Sequence, residues 1–531
     1  MKRTTLTGER RLFEVPAGIH RWMRIVSAFM TISLAVVPSA GVPTSAQSVF
    51  DFQSVYALAQ ALAARPYQAP AEVPAPLQHL TYEQYQQVRF KPDRSLWQEA
   101  TNPFRLQLFL PGWVFTHAVA INLIDSEGVH RVPFSPDLFT FGHTRLPSPL
   151  PETLGFAGFR ILTTMNTTLP RDEVIVFQGA SYFRAIAKGE VYGLSARGLA
   201  VNTGLAQAEE FPSFTEFWLQ QPDPSARTVT LYALLDGQHE TGAFEFTVQP
   251  GESTRTDVTA AIFPRGPVSV LGIAPLSSMF LHDANAKQSL GDFRPEVHDS
   301  DGLLIASRSG EWIWRPLVNP DALRVSSFAL VNPLGFGLMQ RDRNFDHYQD
   351  LEARYELRPS AWIMPRGDWG EGEVRLIEIP SHREYDDNIV AMWVPAHVPP
   401  LGNPLRASYQ IIWGSEDRAL PPSPGGRVIA TRIGIVHPRN SVLGATARGF
   451  VIDFDGDTLN ALPATANVEA IVTSGPGGVV IEKHTQKNPV TGGWRASFHV
   501  RLTGASPTEL RAFLKHGPDT VTETWSYLVQ P

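Results

Sequence analysis

The sequence predicts an all-β protein built from sandwiches, and three observations carry that expectation. Short apolar runs rich in β-branched and aromatic residues recur along the chain, bounded by Gly, Pro or Asp. Long helical patterns do not alternate with them, which argues against a parallel α/β sheet. Glycine (41) and proline (44) are abundant in the 531 residues, as frequent turns require. A hydrophobic fraction of 43% with 18% charge excludes a disordered chain. The net charge of −7 excludes a nucleic-acid partner, whose phosphates need a basic footprint. The cysteine count of 0 removes disulfides, thiolate zinc sites and thiol nucleophiles.

The chain begins with an expected export signal over residues 1–46. Arg21 and Arg24 precede an apolar run over 25–37, and Thr44-Ser45-Ala46 supplies the small residues of a cleavage site. The run is too short to span a bilayer, and no later stretch reaches a span either, so the mature chain is expected to have no transmembrane segment. Arg10-Arg11-Leu12-Phe13 offers a twin-arginine reading, whereas a start at Met23 would give an ordinary secretory signal.

Next, Phe52, Val55, Ala59 and Leu62 recur at helical spacing behind Asp51 as a cap, predicting an amphipathic helix over 51–64 that Pro66 ends. Strands follow at 106–110, 119–124, 129–134, 174–177, 228–232 and 244–248, and Asp125-Ser126-Glu127-Gly128 marks a hairpin between the second and third. The Pro/Gly stretch at 414–426 reads as a linker between a large unit, 47–413, and a smaller one, 427–531. Strand-like runs at 428–435, 449–455, 468–473 and 494–502 suit an immunoglobulin-like sandwich in the second unit.

Several chemistries can be set aside. His298, His347 and His382 lack zinc-ligand spacing, and neither a Gly-x-Ser-x-Gly elbow nor a phosphate-binding loop is present. Asp453-Phe454-Asp455-Gly456-Asp457 reads as a turn rather than a calcium loop, because it lacks the closing Glu. No metal and no cofactor are expected. Residues 292–315 are more telling: Asp292, Arg294, Glu296, His298, Asp299 and Asp301 are followed by Glu311, Trp312, Trp314 and Arg315. Flat aromatic faces and bidentate charged groups are what a carbohydrate site uses, although a polar network tying strands together would look the same. Acids, arginines and aromatics alternate again over 341–355, 367–370 and 384–388. Glycoside hydrolysis commonly needs two carboxylates, one protonated and one ionised, and two such clusters could supply them.

Six stretches carry a resemblance: Phe177-Gln-Gly-Ala-Ser-Tyr-Phe-Arg-Ala185, residues 192–200 and 272–281, Phe293-Arg-Pro-Glu-Val-His-Asp-Ser-Asp-Gly-Leu303, residues 332–343, and Asp387-Asn-Ile-Val-Ala-Met-Trp393. Together they resemble the periplasmic glucans biosynthesis proteins G and D, from about residue 50 to the C-terminus. The motifs fit the G-like and the D-like paralogue alike. The resemblance implies a large β-sandwich of the galactose-mutarotase-like kind followed by the immunoglobulin-like one. It implies a periplasmic role in making osmoregulated periplasmic glucans, with β-1,2-glucan as ligand and the inner-membrane glucan synthase as candidate partner. Some members are inverting β-1,2-glucanases. By motif, Asp299 then matches the general base, acting at a distance through water and a substrate hydroxyl, and Asp387 matches the general acid. Tyr355 and Glu384 match residues lining the same site. The other reading left open is a non-catalytic glucan-binding scaffold. One position departs from the pattern: Asp386 stands where the family commonly has Asn.

Overall fold

Asp51 caps the first helix, Phe52–Ala63, through a capping box in which its carboxylate accepts from the Ser54 amide at 3.0 Å. In this computed structural model the described residues are 50–99, 101–146, 150–166, 172–285, 291–416, 425–436 and 447–530. The expected export signal, and positions 417–424 of the expected linker, lie outside them. The helix lays Val55 and Ala59 on Trp218, Tyr232, Ala243 and Phe263, so its apolar stripe covers the outer face of a sheet.

The rest is almost entirely strand. Among the described residues one sheet of ten strands runs from Phe104–Phe109 through Gly158–Thr163, Asp172–Gln178, Tyr182–Ala185 and Leu271–Ser278 to Ile389–Pro395, Glu371–Glu378 and Arg324–Val331. A second, of fifteen strands, includes Val229–Asp236, Glu240–Gln249, Thr254–Pro264, Leu405–Gly414, Ser360–Arg366, Gly335–Met339 and Gly302–Ala306. Alternation decides which side chains meet between them. Phe159 lies 5.0 Å from Phe217, and Phe177 lies 5.1 Å from Phe246, ring centre to ring centre across the sandwich. The hairpin expected at 125–128 is present, with Asp125 opposite Gly128.

The strands expected after 427 also form: Arg427–Ile435, Ala447–Asp455 and Trp494–Leu502 make a four-stranded sheet with Gly478–Lys487, a strand not among those expected. Val468–Ser474, Thr508–His516 and Thr524–Val529 instead extend the fifteen-stranded sheet, Thr524–Val529 running parallel to Trp312–Pro316. Trp312 and Trp314 are therefore core residues. Trp312 stacks on Trp362 at 5.8 Å, and Trp314 lies under the Arg341 guanidinium at 3.6 Å. That corrects the carbohydrate reading of this pair: they sit on a buried strand whose neighbours on both sides are paired. Arg341 is itself buried between Glu416 (2.7 Å) and Glu523 (2.8 Å). Asp453 takes Arg432 and Arg495 on its two oxygens, each at 2.6 Å.

Candidate functional site

Asp299 and Asp387 are brought together by one short strand. Asp299 follows Val297–His298, which pairs with Phe280–His282, and its amide donates to the Met279 carbonyl at 2.8 Å. Asp387 precedes the strand Ile389–Pro395, and the residue between, Asn388, is clamped to Phe280 on both sides. Its Oδ1 accepts from the Phe280 amide at 2.8 Å, and its Nδ2 donates to the Phe280 and Ile379 carbonyls at 2.9 and 3.0 Å. A fully satisfied buried amide fixes the loop with little slack.

Asp299 is only 4% exposed. Burial pushes its carboxyl above the ordinary value, Arg358 pulls it back, and the charge of Asp387 pushes it up again. Arg358 pairs with Asp299 directly and lies 4.2 Å over the ring of Tyr355. Asp387 is half-buried, with Arg184 at 3.5 Å. Asp386, the departure from the family pattern, turns away to Arg383 (2.9 Å) and to the Ser381 hydroxyl (2.9 Å). Burial, the largest single effect, pushes its carboxyl up, but those two partners together hold it below the ordinary value.

Tyr355 is buried, its phenol pushed far up by burial, and it donates to Glu384 Oε2 at 3.4 Å. The same Glu384 oxygen accepts from Arg294 at 2.5 Å. Arg294 also grips Asp292 with two nitrogens (3.0 and 2.9 Å) and Asp350 at 2.9 Å, so three carboxylates share one guanidinium. Asp299, Tyr355 and Glu384 thus belong to one connected network through Arg358, while Asp387 stands beside it, paired with Arg184. Beneath them lies a buried polar scaffold. His298 bridges Gln340 (2.9 Å) and Glu296 (3.0 Å), and Gln340 Nε2 donates to the Tyr355 carbonyl at 3.1 Å. Ligand atoms of Glu296, Asp342 and His347 lie within 4.8 Å of one another, but Glu296 is engaged by His298, and His347 by Asp342 at 2.5 Å.

The 384–387 loop stands between two cavities. Glu384 lines one of about 830 Å³ with Phe293, Arg294 and Asp350. Asp387 lines another of about 820 Å³ with Trp113, Phe115, Tyr182, Arg184 and Tyr192. Aromatic faces beside convergent charged groups in a concave wall of this size suit a saccharide. The residues of this second wall are not among the expected site residues, although Tyr182 and Arg184 lie in one of the stretches that carry the resemblance. Ala180, with φ of 41°, turns the chain so that Tyr182–Ala185 presents Tyr182 and Arg184 to the cavity and Phe183 and Ala185 to the core. That alternation is visible in the sequence once the strand is placed.

The chain is matched over residues 50–529 by the family described as periplasmic glucan biosynthesis protein, MdoG. It is 46% identical over 511 residues to a protein of Ralstonia nicotianae described as glucans biosynthesis protein G, covering 94% of this chain and 99% of that relative.

Proposed function

The chain belongs to the periplasmic glucan biosynthesis family, and from that premise we propose that it trims the β-1,2-glucan backbone in the periplasm as an inverting hydrolase. The observation that carries the proposal is the Asp299–Asp387 pair. The two carboxyls are electrically coupled, anchored to the same Phe280 strand, and differently housed. Asp387 faces the aromatic cavity and gives its proton to the departing glycosidic oxygen. Asp299 is buried behind Arg358, which favours its ionised form against the cost of burial, as a base requires. Asp299 is not among the described residues lining the Asp387 cavity. The family resemblance implies that a proton leaving the attacking water reaches it by a relay through a substrate hydroxyl, and this placement suits that path. Inversion needs carboxyls far enough apart to admit water, and a relay is the long form of that arrangement. Glu384, Tyr355 and Arg294 hold the sugar on the other side of the loop.

A second reading draws on the Arg184–Asp387 contact at 3.5 Å, since a paired guanidinium and carboxylate in an aromatic cavity can bind sugar hydroxyls without any chemistry. Under it the protein is a glucan-binding scaffold that works with the membrane glucan synthase, and Arg184 and Asp387 bind hydroxyls. Product stereochemistry separates the two. Proton NMR of fresh hydrolysate from linear β-1,2-glucan should show the α-anomer first. Initial β-anomer would refute inversion, and no new reducing ends together with retained binding would favour the scaffold.

A further inference from the structure

The strand Arg324–Val331 ends the ten-stranded sheet: it pairs with Glu371–Glu378 on one side and, among the described residues, with no strand on the other. Which of its backbone groups face that open side follows from its neighbours. The Asn332 amide donates to the Gly370 carbonyl at 2.9 Å, and the Glu371 carbonyl accepts from the Ala396 amide, on the far side, at 2.9 Å. In an antiparallel ladder the two directions alternate residue by residue. Val325, Ser327, Ala329 and Val331 therefore turn both their N–H and C=O groups to the open edge. The same four side chains stand on the outer face, where Val325 is 44% and Val331 59% exposed. Leu323 and Leu334 flank the strand and are exposed as well.

Folded proteins blunt such an edge with lysine, proline, a bulge or a very short strand. This one runs for eight residues without Lys or Pro, and its register with Glu371–Glu378 has no shift. The pattern fits a second copy of the same chain. A two-fold axis through Phe328 sets Val325 against Val331 of the second copy and Ser327 against its Ala329, and each such pair exchanges two backbone hydrogen bonds. Only registers that move by even steps keep outer face against outer face, and this one uses Val325–Val331 complete. Arg324, the strand's one charged residue, then faces Asn332 rather than another arginine. Charges on the next strand agree. Glu373 lies in register with Ala329, and Arg375 with Ser327. Each Glu373 row therefore ends on the second copy's Arg375, three strand spacings or about 14 Å away. Each Arg375 already donates to the Glu373 of its own copy at 2.7 Å, so the seam joins two balanced pairs in opposite orientation. A hollow of about 700 Å³ beside Ala329 and Val331, walled by Val394, Pro395 and Ala396, receives Val325 of the second copy at its mouth.

We propose that this edge is the interface of a symmetric dimer, in which two copies of the chain join their ten-stranded sheets antiparallel about Phe328. The proposal stands whether or not Asp387 cleaves glucan. Glu378 pairs with Arg324 at one end of the strand, and the chain runs on from there to the 384–387 loop. The two-fold thus sets the two active loops at opposite ends of the seam.

Sedimentation equilibrium of the full chain at micromolar concentration should give twice the chain mass. Ala329→Pro removes an N–H that points to the open edge, a place where an edge strand tolerates proline. It should raise the dissociation constant by about tenfold or more, with the far-UV circular dichroism unchanged. If that variant fails to fold, Val331→Lys puts charge on the seam and should weaken the dimer in the same direction. Phe328→Cys reads the register. At the axis its two copies form a non-hydrogen-bonded pair with Cα atoms about 4.5 Å apart, within disulfide reach. The natural chain has no cysteine, so mild oxidation should link this variant into covalent dimers under conditions that leave Val490→Cys unlinked. A monomer at every concentration would overturn the assignment. So would a dimer that a folded edge variant leaves equally tight, or a folded Phe328→Cys that stays unlinked.

Discussion

Replacing Glu240 with Gln should flatten the protein's loss of stability at alkaline pH. Glu240 is 1% exposed, and neither of its oxygens has a hydrogen-bond donor among the described residues. It faces Glu210 across the turn at Gly237. A methyl added to that glycine would stand 2.6 Å from Glu240 Oε1 and 2.8 Å from Glu210 Oε1. Glu210 is held by the amides of Gln238 and His239 and by the His239 ring at 2.6 Å, while Arg265 is committed to Asp236 at 2.9 Å. Burial, then the charge of Glu210, pushes the Glu240 carboxyl from 4.5 to about 9. At neutral pH it therefore keeps its proton, which Glu210 accepts. An unfolded chain gives up that proton near 4.5, so the folded state binds one more proton over the interval up to about 9. The contribution is complete below the lower value and is lost as pH rises toward the upper one. The slope is about 1.4 kcal/mol per pH unit, or roughly 2.7 kcal/mol between pH 6 and pH 8. Gln keeps the shape, donates to Glu210 and does not titrate. Urea unfolding of both proteins at pH 6, 7 and 8 should then show the difference between them shifting by that amount in favour of Gln. Parallel stability curves would refute a protonated Glu240.

Three further outcomes follow from particular contacts. Asp51→Ala removes the cap of Phe52–Ala63 and should cost about 1 kcal/mol in urea unfolding. Arg341→Met leaves Glu416 and Glu523 without their shared cation in a buried site and should cost roughly 3–5 kcal/mol, read as a lower thermal midpoint. Arg358→Met removes the group that opposes the effect of burial on Asp299, so its carboxyl should rise further. Because a base works deprotonated, the acidic limb of the activity profile should move to higher pH, with binding retained, and an unmoved limb would exclude Asp299 as the base.

Much of this architecture is legible in the sequence because its cues are local. The Asp51 cap, the Asp125–Gly128 hairpin and the strands Asp172–Gln178 and Trp494–Leu502 follow from propensity and alternation over a few residues. The site was legible in a different way. Composition marked 292–301 and 384–388 as unusual, but the choice of Asp299 and Asp387 came from family resemblance, since pairing across 88 positions is set by the Phe280–Asn388 clamp and not by spacing. Trp312 and Trp314 misled for the same reason. Their neighbour, Thr524–Val529, joins from the far end of the chain, and only that pairing makes them core. Arg184 and Tyr182 gave a local cue, but the cavity they line is assembled from distant turns.

The central claim is that Asp387 protonates a departing glycosidic oxygen. Reducing-end release from linear β-1,2-glucan, with the natural protein beside Asp387→Asn, tests it most directly. The natural protein should release reducing ends steadily and the variant at least about a hundredfold more slowly, with binding of the glucan kept. Equal release by both proteins, or none by either while both bind, would contradict it.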